Sequence, residues 1–218
     1  MNSSSHNPIL IEVKALIEGL IEEGVLKTPE IIEAFRNVDR ADFVLEKDRA
    51  RAHEDLALDI GFGKTISQPS VVALMLELLG PRKGDRILDV GSGSGWTTAL
   101  LAAIVGSHGR VYGVEIDPHL VRFGQGNLAK YFSPWAQIFY AGRVLGFPAE
   151  APFKKILVSA TSETISRELA DQLENTGTMV VPIGGSIWQI RKYDGYAFVP
   201  LIYRTSDPGF NPDASLGA

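Results

Sequence analysis

The chain has 218 residues, 45% of them apolar, and a formal net charge of −5 with no Lys/Arg-rich run. That length fits one large α/β domain, or a core with an N-terminal helical extension, and the charge argues against nucleic acid as a partner. The absence of cysteine excludes disulfides, thiolate nucleophiles and Cys-ligated zinc, and the four histidines (His6, His53, His108, His119) lack metal-ligand spacing, so no metal is expected.

In chain order, Asn7-Pro8 reads as a helix cap and first helical residue. Ile9, Val13, Leu16, Ile17, Leu20 and Ile21 follow at helical spacing until Gly24 stops the run. Thr28-Pro29 opens a second short helix carrying Ile31, Ile32 and Phe35. These helices read as a brace packed on the core, with a dimer interface as the rival; a monomer is the expectation. From Ile87 onward strand and helix alternate. Strand 86–90 leads to helix 96–105, strand 110–115 to helix 118–129, and strands 136–140 and 153–159 precede a helix ending near Leu173 and strand 178–182. This pattern predicts a doubly wound, mostly parallel α/β sheet of about seven strands, with helices on both faces. Ile187 to Lys192, Asp194-Gly195 and Tyr196 to Tyr203 read as an antiparallel hairpin closing the sheet edge. The expected division is an N-terminal helical segment (1–60), a core (61–204) and a mobile Gly/Pro/Asn/Asp/Ser-rich tail (205–218). No apolar run reaches ~20 residues and the N-terminus has no secretory pattern, so a cytoplasmic protein without membrane contact is expected.

The chemistry concentrates where strand 86–90 meets Gly91-Ser92-Gly93-Ser94-Gly95-Trp96. Backbone amides of such a turn, and of the helix after it, can approach a nucleotide-like ligand because glycine has no Cβ in the way. The spacing is G-x-G-x-G, and the sixth place of a dinucleotide fingerprint is filled by Trp96, too large for the close helix packing that a third glycine serves there. Strand 110–115 ends in Glu115, about 20 residues past the last glycine, where a carboxylate can take both ribose hydroxyls. Turn, strand and acid together suggest an S-adenosylmethionine (AdoMet) site rather than a nicotinamide one.

Upstream, Gly61-Phe62-Gly63-Lys64-Thr65-Ile66-Ser67-Gln68-Pro69 leads into the apolar helix Val71 to Leu79. This segment resembles the G-x-G-x-T-I-S-x-P signature of the protein-L-isoaspartate (D-aspartate) O-methyltransferase family. Val38-Asp39-Arg40-Ala41-Asp42-Phe43-Val44, Glu54-Asp55, Ala151-Pro152-Phe153, Val181-Pro182-Ile183-Gly184 and Phe198-Val199-Pro200-Leu201 resemble its other landmarks, so the likeness runs from about residue 10 to 202. It implies a Rossmann-like AdoMet-dependent methyltransferase fold and methyl transfer to isoaspartyl carboxylates in damaged proteins and peptides, with repair through a succinimide. The chain departs from the pattern at Ala141-Gly142-Arg143, where Gly-Asp-Gly is usual, at Lys154, at Ser159-Ala160-Thr161-Ser162, and at His53, where Tyr is usual.

The acceptor in such a reaction is a carboxylate already ionised at neutral pH, so alignment and removal of water matter more than acid–base help. That fits the absence of a visible His/Asp dyad. Ser67 is the catalytic candidate: Pro69 suits a first helical position, placing Ser67 just outside a helix N-terminus whose field favours anions. Taken alone, Ser67 or Thr65 would more often just satisfy backbone amides there; the flanking motif reverses that preference. The candidate cofactor-binding set is Thr65, Ile66, Asp89, Gly91, Ser92, Gly93, Gly95, Glu115, Ile116, Gly142 and Arg143. Asp89 either orients the turn or meets the methionine amino group, and these stay open. Trp96 reads as packing, Arg143 as a solvated loop charge and His53 as a surface variant. Two rival functions remain: a non-catalytic binding relative, and a methyltransferase of the same fold with another carboxylate acceptor.

Overall fold

A computed structural model describes residues 8–161, 163–193, 196–198 and 202–204 of the chain. The expected tail 205–218, the Asp194-Gly195 turn and Ser162 lie outside the described residues. The main sheet has strand order β10-β8-β7-β6-β3-β4-β5, with β9 also pairing β8. Its parallel part is β3 (Arg86–Val90), β4 (Arg110–Glu115), β5 (Ala136–Tyr140), β6 (Phe153–Val158) and β7 (Leu173–Ile183). β8 (Ser186–Tyr193) turns back antiparallel to β7, and β9 (Tyr196–Phe198) and β10 (Ile202–Arg204) run antiparallel to β8, the pairing expected of the closing strands.

Both faces of a parallel strand are buried, so successive apolar residues of β3 serve opposite cores. Ile87 joins Val111, Leu157 and Val180 under α3 (Pro69–Leu79), α4 (Trp96–Val105) and α5 (Pro118–Leu128). Leu88 joins Val114, Ile156 and Met179 on the other face, covered by Leu169 of the short α6 (Arg167–Asp171) and by Phe147 and Phe153. β3 is central, flanked by β4 and β6, because the chain returns from β5 across β3 to lay down β6. That reversal leaves a crevice beyond the carboxyl ends of the strands, where open α/β sheets bind ligands.

At the N-terminus α1 (Pro8–Glu22) and α2 (Pro29–Asn37) form as expected, the second with Thr28 at its N-cap and proline in its first turn. Phe35 of α2 meets Trp96 of α4 edge-on, ring centroids 5.5 Å apart. The brace contact is thus made at the first residue of the helix that follows the glycine turn. An unforeseen element follows: β1 (Leu58–Gly61) and β2 (Lys64–Ile66) form a two-stranded antiparallel hairpin. The boundary expected between residues 60 and 61 falls inside β1.

Candidate active site

Gly91, Gly93 and Gly95 have φ values of 78°, 52° and 90°, the left-handed region that side-chain-bearing residues rarely enter. The turn they form is also pressed by α5: a Cβ on Gly95 would lie 3.0 Å from the Gly124 carbonyl, and one on Gly124 only 2.8 Å from that of Gly93. Gly124 therefore serves the close helix approach, a role that nothing in the local spacing of the turn discloses.

Asp89, one residue before the end of β3, is 0% exposed. Its carboxylate accepts hydrogen bonds from the hydroxyls of Thr97 and Thr98 (both 2.7 Å) and Ser159 (3.0 Å). Burial raises its pKa, and those three donors work against the rise. With no oxygen open to solvent, Asp89 ties the end of β3 to the first turn of α4 and the end of β6, and none of these bonds goes to the turn backbone. Glu115 ends β4 and is buried beside the turn. Its Oε2 accepts from the Gly93 amide (3.0 Å) and its Oε1 from the Ile116 and Asp117 amides (2.7 and 3.0 Å). An ionised carboxylate has about four acceptor sites, so capacity remains for a ribose hydroxyl.

The hairpin β1–β2 roofs this crevice. Ile60 approaches the place a Gly93 Cβ would occupy (3.4 Å), and Thr65, Ile66 and Ser67 share one cleft with Gly91, Ser92, Gly93, Trp96 and Ser159. At the hairpin tip Phe62, with φ of 56°, stacks on His119 at the start of α5, ring centroids 4.8 Å apart. The two segments singled out in the sequence, about 25 residues apart, are thus opposite walls of one site.

Ser67 stands two residues before Pro69, the first residue of α3. The helix start is held not by Ser67 but by Asp55, which accepts from the Ser70 amide (2.8 Å) and from the Gln68 side chain (2.9 Å). The Ser67 hydroxyl has no partner among the described residues, whereas its carbonyl is fixed by Arg40 (3.0 Å). Arg40 is 2% exposed and also reaches the carbonyls of Ala52 and Leu56 (2.8 Å each), with its guanidinium 5.3 Å from the centre of the Trp96 ring. Burial lowers its pKa to about 10, with Asp55 opposing, so it stays a cation at neutral pH. The sequence showed Arg40 only as part of a landmark; an arginine amid Val38, Ala41, Phe43 and Val44 was the one hint that it is buried.

The remaining candidates lie at the edge. The Ala141 amide donates to the Glu115 carbonyl (2.9 Å), which sets Gly142 (φ 62°) beside the end of β4. Ile116 is 65% exposed and Arg143 is exposed. His53 is not a surface variant: its side chain is only 7% exposed, bonded to Asp39 (2.8 Å) and Glu12 (3.4 Å), because α1 closes over it. Among the described residues no group of three or more His, Asp or Glu side chains is disposed to hold a metal, and no helix is long and apolar enough to cross a membrane.

A parallel sheet with a G-x-G-x-G turn at its central strand, an acid ending the next strand over that turn, and a likeness to solved methyltransferases put the chain in the AdoMet-dependent methyltransferase class. The chain belongs within it to the protein-L-isoaspartate (D-aspartate) O-methyltransferase family, whose model matches residues 11–198. It is 39% identical over 202 residues to a Methanopyrus kandleri protein-L-isoaspartate O-methyltransferase, covering 86% of this chain and 89% of the relative. Among solved structures it resembles a protein-L-isoaspartate O-methyltransferase with a TM-score of 0.76 at 26% identity, covering 88% of this chain and 64% of that one. It also resembles a Plasmodium falciparum structure described as a protein-L-isoaspartate O-methyltransferase in complex with S-adenosyl-L-homocysteine, with a TM-score of 0.72 at 25% identity, covering 87% and 94%.

Proposed function

We propose that the chain transfers a methyl group from AdoMet to the carboxylate of L-isoaspartyl or D-aspartyl residues in damaged proteins and peptides. The observation that carries this reading is the meeting of the Thr65-Ile66-Ser67 segment with the glycine turn in one cleft. AdoMet, when bound, supplies a methyl group activated by its sulfonium. The turn 91–95 offers backbone amides, Glu115 would accept from a ribose hydroxyl with the capacity it has left, and Ile116 and Gly142 would flank the adenine edge. Asp89 acts by tying the first turn of α4 and the end of β6 to β3, not by touching ligand.

On the acceptor side the Ser67 hydroxyl, unspent on capping, donates to one carboxylate oxygen and leaves the other free to attack. Because the nucleophile is already ionised, alignment in a cleft roofed by β1–β2 is the main requirement. The ester so formed carries methoxide, a far better leaving group than a carboxylate offers, so the backbone amide nitrogen can attack the ester carbonyl and expel methanol, closing a succinimide that water opens partly to normal aspartate. This chemistry suits a cytoplasmic enzyme active as a monomer, with α1 and α2 as an internal brace. The test is labelled-methyl transfer to an isoaspartyl peptide beside its normal-aspartyl twin. Label on the first alone is expected; label on neither, with S-adenosylhomocysteine still bound, would direct attention to another carboxylate acceptor.

A further inference from the structure

Ser67 stands where β2 has ended and α3 has not begun. Neither a ladder nor a helix fixes the backbone there, yet aligning an acceptor needs a donor held in one place. Arg40 supplies that constraint. Its Nη2 donates to the carbonyl of Leu56, just ahead of β1, at 2.8 Å and to that of Ser67, just after β2, at 3.0 Å. One nitrogen thus clasps both ends of the hairpin, beside its outermost pair, Leu58 with Ile66. Its Nη1 donates to the Ala52 and Glu54 carbonyls (2.8 and 3.4 Å), holding the segment that carries Asp55, the residue that caps α3. The anchor is itself fixed. The Asp39 carboxylate accepts from the Ala41 amide (2.9 Å) at the start of the turn Arg40–Phe43, and the Asp39 amide donates to the Tyr131 hydroxyl (3.0 Å).

The side chain is 2% exposed, and these four bonds all go to backbone carbonyls. A buried cation bonded to carbonyls rather than to a carboxylate is costly, and an apolar side chain of similar volume would fill the space without that penalty. What arginine adds is direction, because its planar fork holds several acceptors in one geometry. We infer that Arg40 is a positioning residue for methyl transfer, clasping the base of the β1–β2 hairpin so that the Ser67 hydroxyl meets the acceptor carboxylate at a fixed place. The assignment rests on the role given above to Ser67.

The test is a double-mutant cycle between Arg40→Lys and Ser67→Ala, read by kcat and KM on an isoaspartyl peptide and by calorimetry with S-adenosylhomocysteine. Lysine keeps the cation but brings a single nitrogen to the four carbonyls. Arg40→Lys should lower kcat roughly 10- to 100-fold, the effect of a small misplacement, and weaken S-adenosylhomocysteine by no more than about threefold. With Ser67 already alanine, the same change should lower kcat by no more than about twofold, because the group that Arg40 positions is gone. An arginine that only supports the fold would lower kcat by the same factor in both backgrounds. That result overturns the inference, as does affinity for S-adenosylhomocysteine falling as far as kcat. Arg40→Gln, which removes the buried charge and keeps an amide donor, carries the same cycle if the lysine variant does not fold. Full activity of Ser67→Ala would remove the reading of Ser67 and this inference together, whereas an impaired Ser67→Ala with additive losses removes only the role of Arg40.

Discussion

Ser67 owes its free hydroxyl to Asp55, which caps α3 in its place. If that hydroxyl orients the acceptor, Ser67→Ala should lower methyl transfer while leaving the affinity for S-adenosylhomocysteine and the melting temperature nearly unchanged. One hydrogen bond to a charged group is worth about 1.5–3 kcal/mol, or roughly 10- to 150-fold in rate. Full activity on an isoaspartyl peptide would make the hydroxyl structural. Glu115→Ala should weaken S-adenosylhomocysteine binding by about 1–3 kcal/mol, measured by calorimetry. Part of that loss will come from the turn, because Glu115 also holds the Gly93, Ile116 and Asp117 amides. Gly142→Asp restores the carboxylate that the family pattern places there. A Cβ at Gly142 has room, its nearest neighbour being Tyr140 Cε1 at 3.8 Å, but φ of 62° is strained for a side-chain-bearing residue, least so for Asn and Asp. The expected result is tighter cofactor binding with a slightly lower melting temperature; weaker binding would show that the loop needs its glycine more than the acid.

At the scale of elements, the β1–β2 hairpin and the start of α3 form one device for presenting Ser67. Asp55→Ala should cost about 1 kcal/mol of stability, the usual worth of a helix cap, and slow methyl transfer more than it weakens cofactor binding. Equal effects on both would show that the cap has no particular hold on Ser67. The regular elements were legible because their signals are local: Pro69 and Asp117-Pro118 mark helix starts, and β3, β4 and β6 carry apolar runs. The hairpin was not, because β1 and β2 have only four and three residues and gain their meaning from what they cover. Its tip was visible as Gly61-Phe62-Gly63, but the ring that Phe62 stacks on is His119, far along the chain.

Across the whole molecule, α1 is tied to the cleft-bearing core through His53, which bonds Glu12 on α1 and Asp39 ahead of Arg40. Its bond to Asp39 raises the His53 pKa despite burial; burial pushes Asp39 upward, but the His53 bond, the Ala41 amide and the His53 and Arg49 charges together carry it below its usual value. A raised histidine stabilises fully below its unfolded pKa of about 6.5, and that contribution fades as pH climbs through the folded value. The lowered Asp39 contributes above about 3.9 and loses its share as pH falls through its folded value. The pair is therefore strongest between these limits. The melting-temperature gap between wild type and His53→Gln should be widest near pH 5–6 and narrow towards pH 9. A gap constant over that range would show that His53 acts by packing alone.

The sequence by itself determined the parallel sheet, the glycine turn with its strand-end acid, and the segment carrying Ser67, because each depends on residues close together in the chain. Only the tertiary structure decided how they combine: that Asp89 is sealed under three hydroxyls, that Gly124 admits α5 to the turn, and that Arg40 holds Ser67 from behind while facing Trp96. Those contacts join residues up to 70 positions apart, and no periodicity records which side chains will share a dry interior. His53 makes the same point: a polar residue in a loop read as solvated, and it is buried only because a helix some 40 residues earlier folds back over it.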